Sequence, residues 1–281
     1  MTDAARYQLQ DLKLLMDRLR DPKDGCPWDL DQSYRTIAPS TIEEAYEVVD
    51  AIEKDDMPAL KEELGDLLFQ VVFYARLAEE EKKFDLHDII HTLVAKLIRR
   101  HPHVFPAGTL ESRMRSSRVD HEQSDIKTSW ESIKRGERKV KGQIGVLDDV
   151  PINLPALTRA QKLQKRAASV GFDWADYQPV FDKIREELEE LQDAMSSNDP
   201  QNVEEELGDL LFSCVNLSRH LKVDAETALR HSQQKFERRF RYIESRLASC
   251  VTTFEDCDLV VLDALWSEAK AAEKRAESSI T

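Results

Sequence analysis

The sequence predicts an all-α protein made of two tandem helical bundles. Three observations predict it. Only 8 Gly and 10 Pro occur in 281 residues that are rich in Glu, Leu, Ala, Lys and Arg, so good helix formers run almost throughout. Apolar residues recur at three- and four-residue spacing, with few alternating β-branched runs that would suggest a sheet. Finally, the segment Glu-Glu-Leu-Gly-Asp-Leu-Leu-Phe occurs twice, at Glu62 to Phe69 and at Glu205 to Phe212.

The repeat extends upstream. Glu43-Glu44-x-x-Glu47 precedes the first copy, and Glu186-Glu187-x-x-Glu190 precedes the second. Glu44 and Glu187, Glu47 and Glu190, Glu63 and Glu206, and Asp66 and Asp209 are each 143 residues apart. This constant offset means that two helices and the hairpin between them were duplicated as one unit. We therefore expect an N-terminal domain over 1–140, with a linker at its end, and a C-terminal domain over 151–281, each long enough for its own core.

The elements follow in order. Leu9, Leu12, Met16 and Leu19 mark a first helix that closes at Asp21-Pro22, and Gly25-Cys26-Pro27-Trp28-Asp29 reads as a structured loop. Trp28 could stack on a ligand, but the expected role is to plug the core and anchor the loop. Ser40 or Thr41 caps a helix through Glu43, Glu44 and Glu47 to about Lys54. A turn at Asp55-Asp56-Met57-Pro58 leads into a helix reaching about Lys82, and a third runs from about Asp85 to Arg100.

The polar stretch between Pro106 and Pro155 holds the linker and a short helix at Trp130 to Lys134. Its Arg113, Arg115 and Arg118 read as a solvated charge run. Leu157 to Ala167 restarts the pattern, and Gly171-Phe172-Asp173-Trp174 stands where Cys26 to Asp29 stood. Val180 to Met195 and Asn202 to about Leu221 form the second hairpin, and helices over Ala225 to Leu247 and Leu259 to Ala276 complete the chain.

A formal net charge of −14 and a pI near 5.1 exclude a general nucleic-acid polymer binder, which needs a basic face. Small anionic substrates remain compatible if metal ions or a local cationic cluster offset the acids. Cys26, Cys214, Cys250 and Cys257 lack CxxC spacing and read as reduced thiols. Leu67 to Ala75, the most apolar stretch, is too short to span a bilayer, and residues 1–19 have no apolar signal core. A soluble, cytoplasmic protein with no membrane partner is expected.

Acids three apart on a helix share one face, so Glu206/Asp209 and Glu187/Glu190 converge if a short turn packs their helices side by side. Four carboxylates in one place repel unless a cation sits among them. Oxygen donors without His or Cys suit a hard ion, Mg²⁺ with Mn²⁺ as substitute. His220 and His231 lack the spacing from the acids that a di-iron bundle shows. Glu44, Glu47, Glu63 and Asp66 form a second candidate metal site. A lone acidic motif in so Glu-rich a chain is ordinarily solvated surface; its duplication is what raises it above that.

Gly65 and Gly208 each cost about 1 kcal/mol relative to Ala inside a helix, which suggests that a backbone or ligand approaches there. Lys96, Arg99 and Arg100 follow the first acidic pair, and Lys235, Arg238 and Arg239 follow the second; Lys235 and Arg239, four apart, share a helix face suited to phosphate oxygens. There is no GxxxxGK[ST] loop and no GxGxxG after a strand.

At these residues the chain resembles the MazG family of nucleoside triphosphate pyrophosphohydrolases, in its tandem two-domain form. The most specific elements are Glu186-Glu187-Leu188-Glu189-Glu190, Glu206-Leu207-Gly208-Asp209 and Lys235-Phe236-Glu237-Arg238-Arg239. Gly25 to Asp29 and His101-Pro102-His103-Val104-Phe105 are also similar. The resemblance implies a homodimeric all-α enzyme that splits NTPs and dNTPs, with broad base tolerance, into monophosphate and pyrophosphate using Mg²⁺.

It further implies metal ligation by Glu187, Glu190, Glu206 and Asp209, substrate contacts by Lys183, Glu205, Lys235, Arg238 and Arg239, and Trp266 near the nucleotide. From the residues alone Trp266 reads equally as a packed helix aromatic. Glu186 is the candidate acceptor of the water proton. Competing readings are a narrower pyrophosphohydrolase, dUTPase-like or of the phosphoribosyl-ATP type, and a helical dimerisation adaptor without turnover.

Overall fold

A computed structural model of the chain describes residues 6–112, 133, 136–137, 142 and 145–278, apart from 198 and 252. Among these residues there are ten α-helices, one 3₁₀ turn at Phe254–Asp256 and no strand. The all-α expectation is met. Contacts divide the chain into two compact units, Met1–Lys134 and Arg135–Thr281. Trp130, Arg113, Arg115 and Arg118 lie outside the described residues, as does most of the helix expected around Trp130.

Unit 1 contains α1 (Leu9–Leu19), α2 (Pro27–Asp31), α3 (Tyr34–Glu53), α4 (Met57–Glu80) and α5 (Leu86–Arg100). Its centre is the α3/α4 hairpin, with α1 and α5 packed against α4. The turn is locally encoded: Asp55 adopts φ 55°, and the Asp56 carboxylate accepts from the Ala59 amide to start α4. Met16, Ile37, Val72, Phe73, Ala75, Leu77 and Leu86 form the core. Phe73 is 1% exposed, and truncating it to Ala would cost about 3–5 kcal/mol.

Two expectations for unit 1 are corrected. α3 begins at Tyr34, not near Ser40, because Ser33 and Thr36 form a reciprocal capping box that satisfies the first amides. Pro39 is carried inside the helix, and Thr41 Oγ1 instead bonds Ile37 O and the Tyr74 hydroxyl. Residues 27–31 form a short helix, with Pro27 at its start, inside the stretch that reads as a structured loop. There Trp28 is 64% exposed, so it does not plug the core; the loop is anchored by Arg20, which donates to Asp29 O and pairs with Glu80.

Unit 2 contains α6 (Ala156–Ala168), α7 (Gln178–Ser197), α8 (Pro200–His220), α9 (Ala225–Ser249) and α10 (Leu259–Ser278). The α7/α8 hairpin corresponds to α3/α4, with α6 on α8 and α10 on α9. Pro200 opens α8, and the Asp199 carboxylate accepts from the Gln201 and Asn202 amides. Val180, Ala194, Val215, Ile243, Leu247 and Ala269 are buried. All four cysteines are free. No described helix is long and apolar enough to cross a membrane.

Candidate active site

The short turn at Asp199 sets the register of α7 against α8 and brings their acids together. Glu187, Glu190 and Glu206 each offer a carboxylate oxygen within 4.8 Å of the others. In unit 1 the corresponding hairpin brings together Glu44, Glu63 and Asp66 by the same measure. With the 143-residue offset, the two trios differ only in one member: Glu190 joins in unit 2, where Asp66, the counterpart of Asp209, joins in unit 1. Each hairpin thus gathers three of its four repeated acids, with Asp209 outside the unit 2 trio and Glu47 outside the unit 1 trio. An all-oxygen set of this kind fits a hard divalent cation.

The electrostatics agree with that fit. Desolvation raises the Glu206 pKa above the ordinary glutamate value, and Glu190, Glu187, Asp209 and Glu205 push it further. Glu44 is raised by desolvation and then by Asp66, Glu47 and Glu63, and Glu63 by desolvation and then by Glu47 and Asp66. In unit 2 the protein supplies its own partial remedy. Lys183 Nζ lies 2.8 Å from both Glu186 Oε1 and Glu187 Oε1 and 3.9 Å from Glu190 Oε2, and these bonds raise its pKa. Unit 1 has Ser40 at that position.

Beside the acids, unit 2 holds a cavity of about 750 Å³. Lys183, Glu187 and Asp209 stand on its wall, together with Phe172, Trp174, Leu163, Ala167 and Phe212. The Gly171 to Trp174 loop forms part of its wall. Gly171 adopts φ 90°, which a side chain would strain, and the Asp173 carboxylate accepts two bonds from Arg219, 46 residues along the chain. His220 Nε2 lies 3.1 Å from the same carboxylate. Arg219 holds the Asp173 pKa below the usual aspartate range.

The structure places the other expected site residues as follows. Glu186 is exposed on α7 and pairs with Lys183. Glu205 is exposed on α8, one residue before Glu206. Lys235, Arg238, Arg239 and Trp266 do not line the cavity; they belong to the α9/α10 pair. There Arg239 Nε donates to Glu273 Oε2 at 2.8 Å, its guanidinium lies 5.5 Å from the Trp266 ring centre, and Phe236 packs on Trp266. Arg238 approaches Glu273 at 3.5 Å. A Cβ built at Gly65 or Gly208 meets nothing within 4 Å, so no backbone of the chain itself crowds either glycine.

Sequence reasoning missed Arg219, Asn216, Ser213 and Gln164. The available signal was polarity out of place: Ser213 and Asn216 interrupt the apolar stripe of α8, and Gln164 that of α6, and all three are buried.

Comparison with known proteins adds to the geometry. The model of the MazG nucleotide pyrophosphohydrolase domain matches twice, at residues 32–105 and 177–243. A nucleoside triphosphate pyrophosphohydrolase of Escherichia coli (strain K12) is 48% identical over 268 residues, covering 95% of this chain and 98% of that one. A nucleoside triphosphate pyrophosphohydrolase/pyrophosphatase of Thermotoga maritima is 42% identical over 267 residues, covering 94% and 96%. The YabN protein of Bacillus subtilis (strain 168) is 38% identical over 270 residues, which is 96% of this chain but 53% of that longer one. With both acidic hairpins inside the matched segments, the chain belongs to the MazG nucleotide pyrophosphohydrolase family and carries its all-α domain in two copies.

Proposed function

We propose that the chain hydrolyses nucleoside triphosphates, both NTPs and dNTPs and with broad base tolerance, to monophosphate and pyrophosphate, with Mg²⁺ and with unit 2 as the main catalytic unit. The observation that carries this is the convergence of Glu187, Glu190 and Glu206 next to Lys183, with Lys183 and Glu187 also on the wall of a cavity large enough for a nucleoside. The names of the Escherichia coli and Thermotoga maritima relatives point the same way.

Glu187, Glu190, Glu206 and Asp209 are the residues that would hold the metal. A bound divalent ion supplies charge neutralisation at the phosphate oxygens and acidifies water. Lys183 balances the acids and is placed to donate to phosphate oxygens as substrate arrives. Glu186, exposed at the edge of the cluster, accepts the proton of the attacking water. Arg239 exchanges its Glu273 partner for phosphate on this reading, with Lys235, Arg238 and Glu205 as further substrate contacts and Trp266 beside the nucleotide.

The chain acts as a homodimer in the cytoplasm, controlling the nucleotide pool. Exposed apolar residues on the hairpins support the pairing: Ile42, Tyr46, Leu64 and Leu68 on α3/α4, and Leu188, Leu207, Leu211 and Phe212 on α7/α8. The test is pyrophosphate release across NTPs and dNTPs with and without Mg²⁺. Metal-dependent pyrophosphate from several bases is expected. Release of inorganic phosphate alone, or no turnover with metal present, overturns the reading.

A further inference from the structure

One side chain on the wall of the unit 2 cavity does not come from the helical bundle. Leu147 stands on the residues that precede α6, while the other lining side chains belong to α6, α7, α8 and the Gly171 to Trp174 loop. Its segment lies outside both matched family segments, which cover residues 32–105 and 177–243. Leu147 is 50% exposed, so it stands at the edge of the cavity and is not part of the packed core.

The turn that carries Leu147 is preformed. Gly145 N donates to Asp148 Oδ2 at 2.8 Å and Asp148 N donates to Gly145 O at 3.2 Å, which closes residues 145–148 on themselves. A Cβ at Gly145 would stand 2.7 Å from Asp148 Oδ1 and push that carboxylate aside. Asp149 follows at φ 67°, where the chain turns toward Val150, and Val150 is 9% exposed. The turn is one compact body, anchored at its Val150 end.

Its hold on α6 is incomplete. Arg166 Nη2 lies 4.0 Å from Asp149 Oδ2, beyond the roughly 2.7–2.9 Å of a charge-assisted hydrogen bond. Arg166 Nη1 is buried and has no hydrogen-bond partner among the described residues. A buried donor with its bond unmade costs free energy, and a shift of Asp149 by about 1 Å would make that bond. Ala167, next to Arg166, is on the cavity wall, so motion toward Arg166 is also motion toward the cavity. Leu147, two residues before Asp149 on the same turn, moves with it.

We propose that residues 145–150 are a strap that closes over the cavity when nucleotide is bound, with Leu147 as its covering side chain and the Asp149–Arg166 pair as its catch. The strap rests on the nucleotide reading above and deepens it by naming what retains the ligand. In the free chain the catch stands open at 4.0 Å. A ligand in the cavity gives Leu147 apolar surface to cover, and it favours the closed state because Leu147 covers it only there. That burial draws Asp149 onto Arg166, and each contact supports the other. The consequence is kinetic: closure slows the departure of bound nucleotide.

The experiment uses the full chain and its Asp149→Asn and Leu147→Ala variants. Hydrogen exchange of the 146–150 amides is measured with and without Mg²⁺ and the α,β-methylene analogue of ATP, and stopped flow gives the analogue's association and dissociation rates. In wild type, bound analogue should slow exchange at 146–150 by at least about fivefold. Asp149→Asn should speed dissociation by about two- to fivefold, the range of an exposed ion pair, with association unchanged. Leu147→Ala should speed it by about tenfold, through lost apolar cover on the ligand. Asp149 is 54% exposed, so its substitution spares the fold, which exchange in α7 and α8 verifies.

Equal exchange at 146–150 with and without the analogue overturns the strap. So does an Asp149→Asn dissociation rate equal to that of wild type, because a fixed wall at Leu147 does not depend on a residue outside the cavity lining. The expected exchange and dissociation with no pyrophosphate released from ATP would defeat the catalytic reading and leave the strap. Pyrophosphate release with unresponsive 146–150 amides would do the reverse, and a wild type that does not bind the analogue defeats both.

Discussion

Arg219 Nη1 donates to Asp173 Oδ2 at 2.8 Å, tying the end of α8 to a loop that lines the cavity. The two side chains are 16% and 25% exposed, but Asp173 stands on an exposed loop, so solvent partly screens the pair. Arg219 depresses the Asp173 pKa below the ordinary 3.8. A depressed carboxylate contributes stability that is fully present above its unfolded value and is lost as pH falls through the folded one. Asp173→Asn should therefore lower the stability of unit 2 by about 1 kcal/mol near neutral pH, the scale of a charged hydrogen bond reduced by solvent screening. In thermal melts, the gap between wild type and variant should be constant at pH 5 to 7 and close below 3.8. A gap that is absent at neutral pH, or that widens with acid, refutes the role of the pair.

Lys183 sits among the acids of α7, and the side chain of its nearest buried partner, Glu187, is only 5% exposed. Removing the cation leaves that carboxylate buried and uncompensated. Lys183→Met should destabilise the metal-free protein, gain more thermal stability from Mg²⁺ than wild type does, and raise the KM for ATP by about tenfold through loss of a charged contact. Equal Mg²⁺ stabilisation in the two proteins would show that Lys183 and the metal do not share partners.

Glu206 is raised by desolvation and by four neighbouring acids, so its charge opposes folding when no cation is present. Glu206→Gln keeps the volume and removes the charge. It should raise the melting temperature in EDTA, weaken the stabilisation by Mg²⁺ and abolish pyrophosphate release. Near-normal Mg²⁺-dependent activity in this variant would remove Glu206 from the metal site.

The parts of this site that were legible in the sequence are those set by local spacing. Glu206 and Asp209 share a helix face because they are three residues apart, and the repeat at a constant offset lifted them out of an acidic background. The α3 start was misread because Ser33 with Thr36 and Ser40 with Thr41 are similar capping signals; only the reciprocal bonds of the first pair separate them. The cavity was illegible for a different reason. It depends on a contact between residues 173 and 219 and on polar residues inside an apolar stripe, which helical periodicity treats as noise. Trp28 shows the same limit, since a large aromatic in a loop carries no signal of whether the fold covers it.

The exposed apolar residues on both hairpins predict self-association. Leu64 is 49% and Leu211 52% exposed, on helices whose Gly65 and Gly208 leave open space for a close neighbour. Light scattering at micromolar concentration should give twice the chain mass of 32.4 kDa. Leu211→Glu should shift the protein toward monomer, because a charge buried in an apolar interface is unfavourable. A wild-type monomer at that concentration would contradict the dimer.

The last prediction concerns the division of labour between the units. Both hairpins gather acids, so metal binding alone does not separate them. What separates them is Lys183 against Ser40 and Asn216 against Phe73: unit 2 has a cation for the phosphates and a lined cavity beside it, where unit 1 has a hydroxyl and a core aromatic. A triphosphate brings about four negative charges toward acids, so the missing lysine weighs most against unit 1, although Lys96 and Arg100 leave it some positive charge. Glu187→Gln/Glu190→Gln should reduce pyrophosphate release by about 100-fold or more, the scale expected for loss of a metal site. Glu44→Gln/Glu47→Gln should leave most of the activity while removing part of the stabilisation that Mn²⁺ gives to unit 1. If the second pair removes the activity and the first leaves it, the catalytic assignment of the two units is reversed.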